Sequence, residues 1–307
     1  MDIKKYQGVI PAFYGCYDEN GKVSPTAVEE LTRFFIKKGV KGIYVGGSSG
    51  ECIYQTVAER KLTLEHAVKA AEGKLTIIAH VACNSTEESM ELAAHAESLG
   101  VDAIAAIPPI YFKLPEHAIA KYWNDISSAA PNTDFIIYNI PQLAGVALTL
   151  PLLREMLKNP KVIGVKNSSM PSQDIQQFKY EGTLDGREFV VFNGPDEQFI
   201  SGFMMGADGG IGGTYGAMPE LYVKLLELYN AGDKETSRAL QYDLNNIIYK
   251  LCSAKGNMYA VIKAVLKKRE GLNLGGVKSP LANLVPADAA VVDEAAAMID
   301  AAVKKYM

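Results

Sequence analysis

FIIYNIPQLAGVALTLPLLREMLKNPKVIGVK, residues 135–166, decides the fold. It opens and closes on short apolar runs, residues 135–139 and 162–166, and a helical pattern begins between them near Thr149. The runs are apolar nearly throughout rather than alternating, as strands covered on both faces are. The stretch therefore predicts two parallel strands joined by a helix. The same rhythm repeats on either side. Further apolar runs stand at 8–13, 42–45, 75–81, 103–107, 189–193 and 209–211, and helical patterns begin near Ser24, Thr56, Ser85, Glu116, Ser172, Gln198 and Pro219. Eight such repeats close into a barrel, and the expected class is α/β, a (β/α)8 TIM barrel. A doubly wound open sheet is the competitor. Its glycine-rich GxGxxG fingerprint is missing from the first turn, which reads Phe-Tyr-Gly-Cys-Tyr-Asp-Glu-Asn-Gly at 13–21.

Local signals support the element reading. Ser24-Pro25 places a cap and a first-turn proline in order. Ser85 with Glu88 reads as a capping box, and Gly39 and Gly100 mark helix ends. After residue 225 the strand signal stops. Residues 225–249, 258–269 and 287–306 read as three helices, with loop chemistry over 271–286. The expected organisation is a barrel over 1–225 and a C-terminal three-helix extension over 226–307.

Composition narrows the function classes. Thirty-one Lys and Arg against 35 Asp and Glu leave a net charge of −4, without the basic footprint that nucleic acid requires. No run of about 18 apolar residues is present, so no membrane-spanning helix is expected. The N-terminal residues lack the apolar core of a signal peptide. Cys16, Cys52, Cys83 and Cys252 are scattered and read as reduced thiols of a cytoplasmic protein. His66, His80, His95 and His117 show no zinc spacing, so no metal is expected. Tyrosine is abundant, 16 residues against 10 Phe and one Trp, and a phenol can carry protons.

Barrels of this kind place chemistry at the C-terminal strand ends. Lys166 closes an apolar strand, where burial disfavours the ammonium form and frees an amine to form imines with ketones. The other reading is a structural lysine paired with a carboxylate. Gly46-Gly47-Ser48-Ser49-Gly50-Glu51 offers backbone N–H groups and hydroxyls to a small anion, or merely caps the next helix. It lacks the Gly-Lys-Ser/Thr of a nucleotide phosphate loop. Glu51 is either a base or a structural hydrogen-bond partner. Tyr138 ends its strand facing the same mouth, as a proton relay or a satisfied barrel-end phenol. Asp196 and Glu197 suit hydroxyl-rich ligands. His80 reads as a core histidine with no role.

Taken together, GGSSGE at 46–51, YNIP at 138–141, GVKNSS at 164–169, NGPDE at 193–197 and GADGGIGGTYG at 206–216 resemble the N-acetylneuraminate lyase / dihydrodipicolinate synthase family. The resemblance runs the length of the chain. It implies a pyruvate-dependent class I aldolase without metal or organic cofactor, usually a homotetramer. Lys166 would form the Schiff base, Tyr138 would relay protons, and Ser48 would hydrogen-bond Tyr138. Ser49 and the backbone at Gly47 would hold the pyruvate carboxylate, and Tyr111 would reach a neighbouring subunit's relay. Ser168, Gly194, Asp196, Glu197 and Ile211 would bind the remainder of the substrate.

Synthases carry an arginine two residues after the YNxP proline. Here that place is Leu143, which disfavours the synthase activity and points to the lyase branch. The implied reaction is reversible cleavage of N-acetylneuraminate to pyruvate and N-acetylmannosamine. Alternatives are the same chemistry on another 2-keto-3-deoxy acid, or a non-catalytic binder of pyruvate or a sugar acid. Three departures stand out: Ser168 where lyases have Thr, Gly213 where they have a sugar-contacting serine, and no Thr-Pro in the first-strand turn at 13–16.

Overall fold

The computed structural model describes residues 3–307. Its strands are β1 (Gly8–Pro11), β2 (Gly42–Val45), β3 (Thr76–His80), β4 (Ala103–Ala106), β5 (Asp134–Asn139), β6 (Val162–Asn167), β7 (Val190–Asn193) and β8 (Gly209–Gly212). Between them lie α1 (Pro25–Lys37), α2 (Val57–Ala71), α3 (Thr86–Ser98), α4 (Glu116–Ser128), α5 (Pro141–Ala144), α6 (Leu150–Met156), α7 (Gln173–Thr183) and α8 (Phe199–Met204). Four helices follow: α9 (Pro219–Asn230), α10 (Lys234–Leu251), α11 (Met258–Glu270) and α12 (Ala289–Tyr306). The strand order β1-β8-β7-β6-β5-β4-β3-β2, with every strand followed by helix, is that of a (β/α)8 barrel with C-terminal helices.

The chain divides into two compact units. One comprises the residues up to Gly8 with Thr76–Ile211. Its strands run parallel and are buried almost end to end, which is why they read as unbroken apolar runs. Their register aligns Tyr138 with Lys166 and Lys166 with Phe192, then Asn139 with Asn167 and Asn167 with Asn193. A bulge sets this alignment. Phe135 pairs with Val162 but Ile136 pairs with Gly164, so β6 carries one extra residue. Without that residue Tyr138 would face Val165, because a one-residue slip moves every side chain to the other face. Gly164 itself must lack a side chain: a Cβ there would sit 2.4 Å from the Val190 carbonyl oxygen.

The second unit comprises Val9–Leu75 and Gly212–Met307. In it β1 and β2 meet through a parallel bridge between Ala12 and Tyr44, with the Phe13 N–H donating to the Tyr44 carbonyl at 2.9 Å. Helices α10, α11 and α12 bury apolar faces at helical spacing, including Leu240, Leu244, Ile247 and Leu251 on α10.

Caps and stops follow the residues that announced them. Ser24 accepts from the Ala27 N–H with Pro25 in the first turn, and Gly39 and Gly100 take positive φ of 72° and 71°. Two details differ from expectation. The box expected at Ser85 is only half made, Ser85 accepting from Glu88 N–H while its hydroxyl turns to Glu87; the reciprocal box forms at Thr56 and Glu59. The helix expected over 225–249 is two helices, α9 and α10. Gly232 breaks it at φ 76°, and Asp233 restarts it by accepting from the Thr236 N–H.

Candidate active site

In the first unit Lys166 is the next-to-last residue of β6 and is 4% exposed. Its Nζ lies 3.8 Å from the centroid of the Tyr138 ring on the neighbouring strand. The His80 ring meets the same tyrosine edge-on at 5.9 Å, and His80 Nε2 accepts from the Ile107 N–H at 3.4 Å. The phenol is thus held between an amine and an imidazole, in a place with almost no water access. His80, expected to have no role, packs against the relay candidate. Only the fold brings β3 and β5 into that relation.

Immediately beyond this level the strands end in a row of asparagines. Asn139 Nδ2 donates to Asn167 Oδ1 at 2.8 Å, and the Leu148 N–H donates to Asn139 Oδ1 at 2.9 Å. Asn193 Nδ2 donates to the Pro195 carbonyl at 2.8 Å, while the Ser169 hydroxyl reaches Asp174 at 2.6 Å. All three asparagines are buried. Buried amides linked in this way fix the loops after β5, β6 and β7, and so the backbone that carries Tyr138 and Lys166.

Ser168 and Gly194 stand side by side. Ser168 Oγ sits 2.0 Å from where a Cβ on Gly194 would be, so only glycine fits beside that hydroxyl. Asp196 is buried at the start of a short turn, whereas Glu197 is exposed. Ile211 is buried in β8. Tyr111 is held at φ 86° and is 90% exposed, with Phe112 packed edge-on to it at 5.0 Å. A left-handed aromatic residue stores strain of about 1–3 kcal/mol, and such strain concentrates at sites that use it. Tyr111 stands in solvent, unlike the buried Tyr138.

In the second unit, the segment after β2 is a compact loop. Gly46 takes φ 77°, and a Cβ on Gly47 would lie 2.7 Å from the Tyr44 ring. Ser48–Gly50 then makes one helical turn, which exposes Ser48 in part and buries Ser49. The turn closes on Glu51 at φ 61°. Glu51 Oε1 accepts from Lys263 Nζ at 2.7 Å, and its Oε2 accepts from the Lys278 N–H at 2.6 Å. Lys263 also donates to the Gly276 carbonyl at 2.6 Å. Of the two readings open for Glu51, the structure supports the structural partner: its carboxylate ties the serine loop to α11 and the loop behind it.

Both ion-pair side chains are withdrawn from solvent, at 1% and 0% exposure. Burial pushes the Lys263 ammonium below the usual lysine range, and Glu51 opposes that shift. Removing one partner leaves an uncompensated buried charge, which costs about 3–5 kcal/mol. Lys263→Ala is therefore expected to lower stability by about that amount in denaturant unfolding. The double change Lys263→Met with Glu51→Gln is expected to cost less than the two singles summed, since Gln still accepts from Lys278 N–H.

Among the described residues no cluster of three or more His, Cys, Asp or Glu is placed to hold a metal ion. Nor is any helix among them long and apolar enough to cross a membrane.

Comparison with known proteins puts this geometry in a family. A model of the dihydrodipicolinate synthetase family matches residues 5–300. An N-acetylneuraminate lyase of Mediterraneibacter gnavus is 67% identical over 306 residues, 100% of this chain and 96% of the relative. The solved wild-type sialic acid aldolase of Ruminococcus gnavus superposes with a TM-score of 0.97 at 68% identity, covering 99% of this chain and 100% of that one. A catalytic lysine mutant of the same aldolase gives a TM-score of 0.98 at 67% identity, covering 100% and 99%.

Proposed function

The chain belongs to the dihydrodipicolinate synthetase family, and from that premise we propose that it reversibly cleaves N-acetylneuraminate to pyruvate and N-acetylmannosamine through a Schiff base on Lys166. It is a carbon–carbon lyase of the pyruvate-dependent aldolase kind. The observation that carries the reading is the buried Lys166–Tyr138 pair, 3.8 Å from amine to ring centroid, in a chain 67% identical to an N-acetylneuraminate lyase.

The Lys166 amine attacks the ketone carbon of the open-chain keto acid; the Tyr138 phenol protonates the departing hydroxyl, and loss of water leaves a protonated imine beside a phenolate. Tyr138 takes the proton from the hydroxyl two carbons along the chain. The intervening C–C bond then breaks, its electron pair moves into the iminium to give an enamine, and the aldehyde sugar departs. Protonation of the enamine carbon and hydrolysis of the imine release pyruvate and restore the amine. A buried amine suits this sequence because the neutral form is the nucleophile.

The motif correspondence assigns Ser49 and the Gly47 backbone to the pyruvate carboxylate and Ser48 to the relay tyrosine. Ser168, Gly194, Asp196, Glu197 and Ile211 fall to the sugar portion. Leu143, 63% exposed at the end of α5, supplies no charge for a second substrate carboxylate, which disfavours synthase activity. The strained, exposed Tyr111 suits a residue offered to a second copy, in a cytoplasmic homotetramer. The catalytic barrel is assigned to residues 1–225 and the helical extension to 226–307.

Supplying N-acetylneuraminate and coupling released pyruvate to lactate dehydrogenase tests the substrate. The expected result is NADH oxidation matched by equimolar N-acetylmannosamine. Pyruvate released only from a different 2-keto-3-deoxy acid would move the assignment to that substrate.

A further inference from the structure

Gly213 is one of the three places at which the chain departs from the lyase pattern, and its surroundings in the second unit give that departure a physical account. A Cβ built on Gly213 would lie 3.2 Å from Ser49 Oγ and 3.3 Å from the Tyr259 hydroxyl oxygen. Both distances are tighter than an ordinary carbon–oxygen contact, so a side chain there would push the neighbouring hydroxyls aside by a few tenths of an ångström. Those two hydroxyls are bonded to each other, Ser49 Oγ donating to Tyr259 Oη at 3.1 Å.

Tyr259 is itself firmly held. It lies in the first turn of α11, where Asn257 caps the helix by accepting from the Tyr259 N–H at 2.9 Å. Its ring packs against Tyr14 at 6.2 Å between centroids, and the Tyr14 hydroxyl donates to the Gly213 carbonyl at 2.8 Å. Gly213 and Tyr259 are both half-buried, while Ser49 is buried. The hydroxyl beside Ser49 thus comes from a residue 46 positions further along the chain than Gly213.

We propose that Tyr259 is a positioning residue of the carboxylate-binding loop: its hydroxyl occupies the space beside Gly213 and sets the orientation of the Ser49 hydroxyl. A hydroxyl placed on residue 213 would crowd the one that Tyr259 brings from α11, and one of the two would have to shift. The inference rests on the aldolase reading, through Ser49 as a holder of the pyruvate carboxylate.

A double-mutant cycle tests it, using Tyr259→Phe, Gly213→Ser and their combination in the full-length protein. Each variant is assayed for KM and kcat with N-acetylneuraminate, for melting temperature, and for borohydride-trapped pyruvate on Lys166. Tyr259→Phe is expected to raise KM about ten-fold, the scale of one lost hydrogen bond, with kcat much less affected. Gly213→Ser is expected to raise KM and lower the melting temperature in the parent. In the Tyr259→Phe background it is expected to lower KM toward the parent value, because the introduced hydroxyl finds the vacated space.

An unmoved KM in Tyr259→Phe, or the same effect of Gly213→Ser in both backgrounds, would overturn the role of Tyr259 while trapping on Lys166 upholds the aldolase reading. Failure of the parent itself to trap pyruvate would overturn both.

Discussion

Lys166→Ala is expected to lower pyruvate release from N-acetylneuraminate on the order of 10⁴- to 10⁶-fold, the scale on which loss of a covalent nucleophile acts. In the proposed steps the Lys166 amine forms the imine, and nothing else in them provides an electron sink for C–C cleavage. Lys166 is 4% exposed and stacked on a tyrosine ring, so its removal also leaves a small cavity. Stability and catalysis are separated by measuring kcat alongside thermal unfolding: the melt should stay cooperative while turnover disappears. Lys166→Arg sharpens the test. A guanidinium places a permanent positive charge at this position and does not deprotonate. If the lysine served only as a charge, Arg would retain activity; the imine mechanism requires that it lose nearly all of it.

Tyr138→Phe is expected to lower kcat about 10²- to 10⁴-fold, the ordinary contribution of one general acid–base group. The substitution is clean because Phe keeps the ring that packs 3.8 Å from Lys166 Nζ and 5.9 Å from the His80 ring centroid. Only the hydroxyl is lost. Imine formation with pyruvate under long incubation should survive, whereas cleavage should fail, since the proton on the substrate hydroxyl has no acceptor. Kinetics and mass spectrometry on one variant thus separate binding of the keto acid from its cleavage. Equal loss of trapping and turnover would instead make Tyr138 a packing residue for the lysine.

The barrel was legible in the chain because its strands are buried on both faces. Runs such as 135–139 and 162–166 are apolar for that reason, and the helices between them begin and end on Ser24, Thr149, Gly39 and Gly100, whose side chains or φ angles do the capping. Lys166 was legible as a charged residue ending an apolar strand. The bulge that aligns it with Tyr138 was not, because one extra residue in β6 leaves no mark on composition. The break at Gly232 was masked by apolar spacing that continues across it. Glu51 remained ambiguous because its partner Lys263 lies 212 residues away in sequence. The packing of His80 on Tyr138 and the hydrogen bond between Tyr259 and Ser49 were not legible for the same reason: each joins residues on different elements, although His80 is the buried core histidine that the sequence suggests.

The central claim is covalent catalysis by Lys166, and one measurement addresses it directly. The protein is incubated with N-acetylneuraminate, reduced with borohydride, digested and analysed by mass spectrometry. Reduction should leave the peptide bearing Lys166 heavier by one pyruvate-derived group, with no adduct on the other lysines and none in Lys166→Ala. An unmodified Lys166 peptide from protein that still releases pyruvate, or an adduct on a different lysine, would contradict it.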